Sequence, residues 1–378
     1  MELTIPADYR GREQTYLKHR VLAEYVLEWG IKLGSAARRR AVRLWYVDGF
    51  AGPWRSRNAG LKDTSIDVGL ATLERAAAVW RQRGYALQLA AIFVEKDANA
   101  YERLKAHLEG RRSSIETLHC FGEFGVHAPW IERTLGDDPA LVFIDPTGVR
   151  GAAMRFIEPL TRRGRRDVLI NVMFEHIHRF KTRMPERIRE FFDLEDGALP
   201  EGLDERALLE RYRENLKRRC HLRHAADMAV PHPNKQGTYF HLVIGGKHRA
   251  ALDVFRRVEA KVIGRDAAEV REQVRSRQTE ERSGQLSLDL SAPDADLRFA
   301  RELALDRARA VDALVERLRT ARAMTWATLW PPLLERYHLT LPALARLVQE
   351  SAAAGRLVIQ RSNRARARLG ARDRITRP

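Results

Sequence analysis

The chain has 378 residues, 67 Lys and Arg against 50 Asp and Glu, a formal net charge of +17, and 44% hydrophobic residues. That apolar content excludes wholesale disorder, and the length favours two domains over one. No apolar run approaches a membrane span, and two cysteines alone, Cys120 and Cys220, exclude a disulfide framework and a paired-cysteine zinc site.

The excess of positive charge favours a polyanionic partner, most simply nucleic acid, DNA or RNA. The first residues, MELTIPADYR, carry acids and no apolar core segment, so no signal peptide is expected. The expected setting is a reducing cytoplasm, with no membrane partner.

Residues 1–40 are expected to form an N-terminal helical segment. Within YLKHRVLAEYVLEWGIKL, Leu17, Val21 and Tyr25, with Leu22, Val26 and Trp29, share a face at helical spacing. The apolar run from Ala41 to Val47 opens a larger unit, residues 41–265. In it LQLAAIFV (87–94), SIETLHC (114–120), ALVFI (140–144) and DVLINVMF (167–174) read as strands, with helical patterns at 97–109 and 152–163. Short apolar strands separated by helices predict an α/β fold, a parallel Rossmann-like sheet covered on both faces.

Residues 176–220 are helical and charged and read as an insertion or lid. AADMAVP and TYFHLVIGG then form a hairpin-like pair across PHPNKQG, followed by a helix over 248–262. Residues 266–298 are polar and read as a flexible linker. Residues 299–360 follow the order helix, helix, turn, helix, strand-like RLVIQR, which is the layout of a winged helix. Residues 361–378 read as an arginine-rich tail: Arg361, Arg364, Arg366, Arg368, Arg372, Arg374 and Arg377 stand against one acid, Asp373.

In a doubly wound sheet, ligands sit beyond the carboxyl ends of the strands. Here those ends carry Asp48-Gly49-Phe50-Ala51-Gly52, Glu95, Glu123 and Asp145-Pro146-Thr147-Gly148. A carboxylate at the second strand end suits a ribose diol, and glycines after the first strand let backbone approach a ligand. A nicotinamide enzyme would show G-x-G-x-x-G and an acid about 20 residues on. This chain has G-x-x-G, and Glu95 lies 47 residues beyond Asp48. An acid at the first strand end also repels a pyrophosphate. S-adenosylmethionine is cationic and has no phosphate, so the first strand favours it over NAD.

Together VDGFAGPW, FVEKD, FIDPTG, NVMF with HRF, and YFHLVIGGKHRAALDVFRRV resemble the three-Cys-motif partner protein (TcmP) family over about residues 15–265. The resemblance implies a class I methyltransferase-like fold, an S-adenosylmethionine pocket, and a partner protein with a three-cysteine radical S-adenosylmethionine-type motif. It implies that Asp48, Gly49, Phe50, Ala51 and Gly52 form the first cofactor loop. Glu95 would face the ribose, Glu123 would lie near the adenine, and Asp145, Pro146, Thr147 and Gly148 would face the substrate.

Asp-Pro-Thr-Gly resembles the Asp-Pro-Pro-Tyr of amino-methyltransferases but lacks its aromatic, so Thr147 cannot stack on a flipped base. It is closer to a motif of tRNA guanine-N2 methyltransferases. The competing role for Asp145 is a helix cap. Cytosine-C5 chemistry needs a cysteine nucleophile after a proline, and neither cysteine follows one. His176 and His178 could act as bases, or His176 could pair with His232 and His241 in a metal site; histidines two apart on a helix diverge, so a surface role is expected and no metal.

Within the linker, Gln285-Leu286-Ser287-Leu288-Asp289-Leu290 resembles the hexapeptide by which bacterial replication and repair proteins bind the sliding clamp. Leu288 and Leu290 would enter an apolar pocket while Gln285 bonds backbone. In the winged-helix reading, PALARLVQESAAAG carries one cation, Arg346, so the arginine tail is expected to dominate any contact with DNA, in a salt-sensitive way. The leading expectation is a methyltransferase-like protein acting on or beside nucleic acid, with Asp145 orienting the nucleophile. The rival is a non-catalytic DNA-associated adaptor for the partner and the clamp.

Overall fold

The structure is a computed structural model that describes residues 3–52, 56–58, 60–180, 182–194, 204–235, 237–283, 297–363 and 368–378. Seven strands form the main sheet: β1 (Arg43–Asp48), β2 (Gln88–Glu95), β3 (Glu116–Phe121), β4 (Ala140–Ile144), β5 (Arg166–Val172), β6 (His224–Pro231) and β7 (Thr238–Gly246). Their order is β3-β2-β1-β4-β5-β7-β6. β1 to β5 pair in parallel, and β7 runs antiparallel to both β5 and β6. This is the Rossmann-like, mostly parallel α/β sheet expected from the sequence, closed by an antiparallel pair. Its centre is apolar for a physical reason: β4 is buried at all five positions, since helices cover both faces.

The helices are α1 (Glu13–Gly34), α2 (Ser65–Arg81), α3 (Ala98–Gly110), α4 (Phe124–Leu135), α5 (Met154–Thr161), α6 (Phe174–Phe180), α7 (Pro185–Phe192), α8 (Glu205–Arg219), α9 (Ala250–Lys261), α10 (Ala267–Ser283), α11 (Leu297–Ala321), α12 (Trp326–Arg336) and α13 (Leu341–Ala353). α1 is part of the core: Leu17, Val21, Leu22, Tyr25 and Val26 are fully buried. It crosses α2 closely, because a Cβ on Gly30 would come within 2.8 Å of Ala76 Cβ. Side-chain caps start several helices. Thr64 accepts from Asp67 N, Asp97 from Ala100 N, and Thr340 from Ala343 N.

In the span read as an insertion, Phe191, Phe192 and Tyr212 are buried in the core beneath α7 and α8. The span read as a linker begins differently. α9 continues through a π-helical turn, Val262–Asp266, into α10, so regular structure extends to Ser283. A polar helix whose buried residues are Ala267, Val270 and Val274 carries too weak a period to detect. Gln285, Leu286, Leu288 and Leu290 lie outside the described residues.

The C-terminal unit adds a second sheet of β8 (Ala323–Thr325), β9 (Val358–Gln360) and β10 (Arg374–Thr376), in the antiparallel order β8-β10-β9. The span expected to be a tail therefore folds back as a strand, with Ile375 fully buried. One apolar residue among arginines gives no alternation to read. Arg364 and Arg366 lie outside the described residues.

This unit is fastened to the edge of the main sheet by buried charge. The Arg256 side chain is wholly enclosed. It donates to Glu259 at 2.7 Å, Asp227 O at 2.8 Å and Leu334 O at 2.8 Å. Glu259 also accepts from His338 at 2.6 Å. Glu335 of α12 meets Lys217 and His224, each at 3.0 Å.

Candidate functional site

The carboxyl ends of β1, β2, β4 and β5, the loop after β3 and the start of antiparallel β7 surround a cavity of about 510 Å³. Its size lies in the range of ligand sites. The amino-terminal half of α1 forms one wall, through Arg12, Thr15, Lys18 and His19.

Asp48 ends β1 but does not line the cavity. It is 0% exposed, beneath the floor. Its Oδ1 accepts from Phe50 N at 3.1 Å and its Oδ2 lies 3.5 Å from the Tyr46 hydroxyl. Burial pushes its carboxyl up to about 7, opposed by hydrogen bonds from Ser65 and Phe50. The side chain expected to face a ligand cation instead shapes the loop whose Gly49, Phe50 and Gly52 do line the cavity. Ala51 is buried and donates its N–H to Val94 O at 2.9 Å. Gly49 is required by packing: a Cβ there would come within 2.8 Å of the Phe124 ring.

Glu95 lines the cavity at 8% exposure, with Oε1 accepting from Asp97 N at 2.7 Å. Gly122 holds the next turn at φ +134° and donates to Glu95 O at 2.9 Å. Glu123 is exposed on the cavity rim, at the start of α4, with Phe124 buried behind it.

Asp145 stands between two elements. Its Oδ1 accepts from Asn171 Nδ2 of β5 at 2.6 Å, and its Oδ2 is ion-paired with Lys18 of α1. The Lys18 ammonium also lies 5.8 Å from the Phe240 ring centroid. Pro146 and Thr147 line the cavity, and Gly148 closes the turn at φ +106° with its N–H on Pro146 O at 2.9 Å. Asp145 caps no helix: the next one, α5, starts at Met154 without a side-chain cap.

Sequence reasoning missed Lys18 and Asn171. A lysine on the polar edge of an amphipathic helix carries no signal. Asn171 did carry one, as an amide inside the otherwise apolar run DVLINVMF. Its Oδ1 is buried without a hydrogen-bond partner in the described structure. Also missed was the second charge pair of the wall, Arg12 with buried Asp63. His19 receives or gives a hydrogen bond at Nδ1 with the Tyr9 hydroxyl at 2.9 Å, and burial lowers its pKa to about 3, so it is neutral.

Both thiols are pushed up by burial, Cys220 the further, which leaves neither poised as a nucleophile. Among the described residues no group of His, Cys, Asp and Glu could hold a metal ion. The side chains of His176 and His178 lie outside the described residues. His241 is ion-paired with Glu205 and Asp227, and His232 packs edge-on to Tyr239. No described helix is long and apolar enough to cross a membrane.

No family model and no curated protein matches the chain. Among solved structures it is similar to a protein from Legionella pneumophila, at 9% identity over 64% of this chain and 91% of that one, with a TM-score of 0.35. It is similar to a loganic acid methyltransferase solved with SAH, at 9% identity over 74% and 92%, TM-score 0.31. A cyclopropane synthase from Mycobacterium tuberculosis gives 12% identity over 67% and 76%, TM-score 0.27. Values this low leave the site to be read from its own residues.

Proposed function

We propose that this chain is an S-adenosylmethionine-dependent methyltransferase-like protein acting on or beside nucleic acid. The observation that carries the reading is the cavity at the carboxyl ends of the strands, with the Glu95 carboxylate on its wall at the end of β2. The residues fit the cofactor. Glu95 offers acceptor oxygen to a ribose diol, Gly49 and Gly52 offer close backbone, and Phe50 offers an apolar surface. Arg12 and Lys18 supply positive charge for a carboxylate. When bound, the cofactor supplies an electrophilic methyl group. Asp145, aimed by Asn171 and Lys18, would orient the amine that accepts it.

The TcmP resemblance adds a three-cysteine-motif partner protein. Gln285, Leu286, Leu288 and Leu290 add recruitment to the bacterial sliding clamp, in DNA repair or replication. A net charge of +17 supports a polyanionic acceptor. The test of transfer is a labelled-methyl assay on duplex DNA, single-stranded DNA and tRNA, with Asp145→Ala alongside. Label incorporated by wild type and lost in the variant supports the reading. No incorporation on any of the three counts against an enzyme acting alone.

One observation favours the second reading, a non-catalytic adaptor. Both oxygens of Asp145 are already engaged, one by Lys18 and one by Asn171. In that reading Asp145→Ala spares the function and loss of partner binding abolishes it.

A further inference from the structure

The three-stranded sheet of the C-terminal unit turns one face to the core and the other to solvent. Met324, Ile375 and Ile359 stand opposite one another across it, and Ile375 is fully buried. Alternation therefore turns their neighbours the other way. Register places Arg374 between Thr325 and Gln360, and Thr376 between Ala323 and Val358. Arg374, Gln360 and Val358 are exposed, and this outer face carries no acid.

The connection from β9 to β10 contains the one acid of residues 361–378, and the fold removes it from the surface. Asp373 is 2% exposed. It accepts from Ser362 N at 2.9 Å, Ser362 Oγ at 2.7 Å, Gly370 N at 2.9 Å and Arg361 Nη1 at 3.2 Å. Arg368, Arg372, Arg374 and Arg377 are left exposed around it. Arg377 and Arg322 lie just beyond the ends of β10 and β8 and are exposed, but alternation sets residue 377 on the side of Ile375, away from the outer face.

We propose that this sheet face, with Arg368 and Arg372 just before β10, binds the phosphodiester backbone of duplex nucleic acid. Arg374, held on β10 between threonine and glutamine side chains, with exposed Arg368 and Arg372 in the chain just before it and no acid on the face, matches phosphate oxygens in charge and in donors. A single strand is the poorer match. Such sites stack bases on aromatic rings, and residues 356–378 contain no Phe, Tyr or Trp. A membrane is poorer still, since Val358 is the one large exposed apolar side chain of this sheet. The inference rests on the nucleic-acid part of the function proposed above and needs no methyl transfer.

The test is fluorescence anisotropy of the full chain with a labelled 20-base-pair duplex and a labelled 20-nucleotide single strand, across a salt series. Wild type is compared with R368A/R372A/R374A. A control of equal charge, R39A/R40A/R81A, removes exposed arginines elsewhere. The expected result is tighter binding to duplex, with the slope of log K against log salt reduced by about 3 in the sheet variant and unchanged in the control. Matching circular dichroism melts show that the sheet variant is folded, since Ile375 is untouched. Equal losses in both variants would mean diffuse charge and overturn the site. Preference for the single strand would overturn the duplex assignment. No binding of either nucleic acid by wild type would sink both this site and the nucleic-acid reading, leaving cofactor binding to be judged separately.

Discussion

Asn171 Nδ2 donates to Asp145 Oδ1 at 2.6 Å, joining the ends of β4 and β5 at the wall of the cavity. The bond fixes the carboxylate while Lys18 balances its charge. If Asp145 orients an acceptor, Asn171→Ala misaims it without touching the cofactor side. A hydrogen bond to a charged group is worth about 1.5–3 kcal/mol. Methyl transfer is therefore expected to fall by roughly 10- to 100-fold with cofactor affinity unchanged. Equal rates in wild type and variant would remove Asp145 from the chemistry.

Gly49 is expected to be intolerant because of Phe124. An added Cβ would press on that ring at 2.8 Å, inside a packed core. Gly49→Ala should cost about 1–3 kcal/mol in denaturant unfolding. Gly49→Ala combined with Phe124→Leu should recover much of it. Failure of the double variant to recover would place the constraint in the backbone instead.

Asp48 gives a pH prediction whose sign is fixed by burial. Its folded-state carboxyl is raised to about 7 from an ordinary 3.8. The folded state therefore holds a proton that the unfolded state releases. This stabilises below the unfolded value and is lost as pH rises towards about 7. Asp48→Asn keeps an acceptor for Phe50 N and removes the titration. The variant should match wild type near pH 4 and melt higher than wild type at pH 8. A difference that does not change with pH would contradict a buried, proton-holding Asp48.

The clasp of Arg256 and Glu259 predicts coupling between the sheet and the C-terminal unit. Breaking a buried ion pair by removing one partner costs about 3–5 kcal/mol. Arg256→Met or Glu259→Met should each lose that much in denaturant melts. The double variant should lose less than the sum, because no charge is left stranded. Strict additivity would show that the pair is not coupled.

Much of the fold was legible because buried parallel strands are runs of apolar residues. β2, β4 and β5 were readable in AAIFV, ALVFI and VLIN. β10 was not, since three residues with one buried side chain carry no period. The site was legible where chemistry sits at strand ends, as at Glu95 and Asp145. It was not legible where distant elements meet: Lys18 and Asp145 are 127 residues apart, and nothing local marks the lysine. Asp48 was visible as an acid at a strand end, but its burial depends on Tyr46 and the loop above it, which sequence position alone does not reveal.

The clamp hexapeptide makes a prediction independent of the cavity. The chain is expected to be captured by the bacterial sliding clamp, and Leu288→Ala with Leu290→Ala should abolish capture. No capture of wild type ends the idea.

The most direct measurement is calorimetric titration of the full chain with S-adenosylmethionine, with NAD as control and Glu95→Ala and Asp48→Asn alongside. Micromolar binding of S-adenosylmethionine, none of NAD, loss in Glu95→Ala and retention in Asp48→Asn is the predicted pattern. No binding by wild type would contradict the cofactor assignment and leave the sheet as the scaffold of an adaptor.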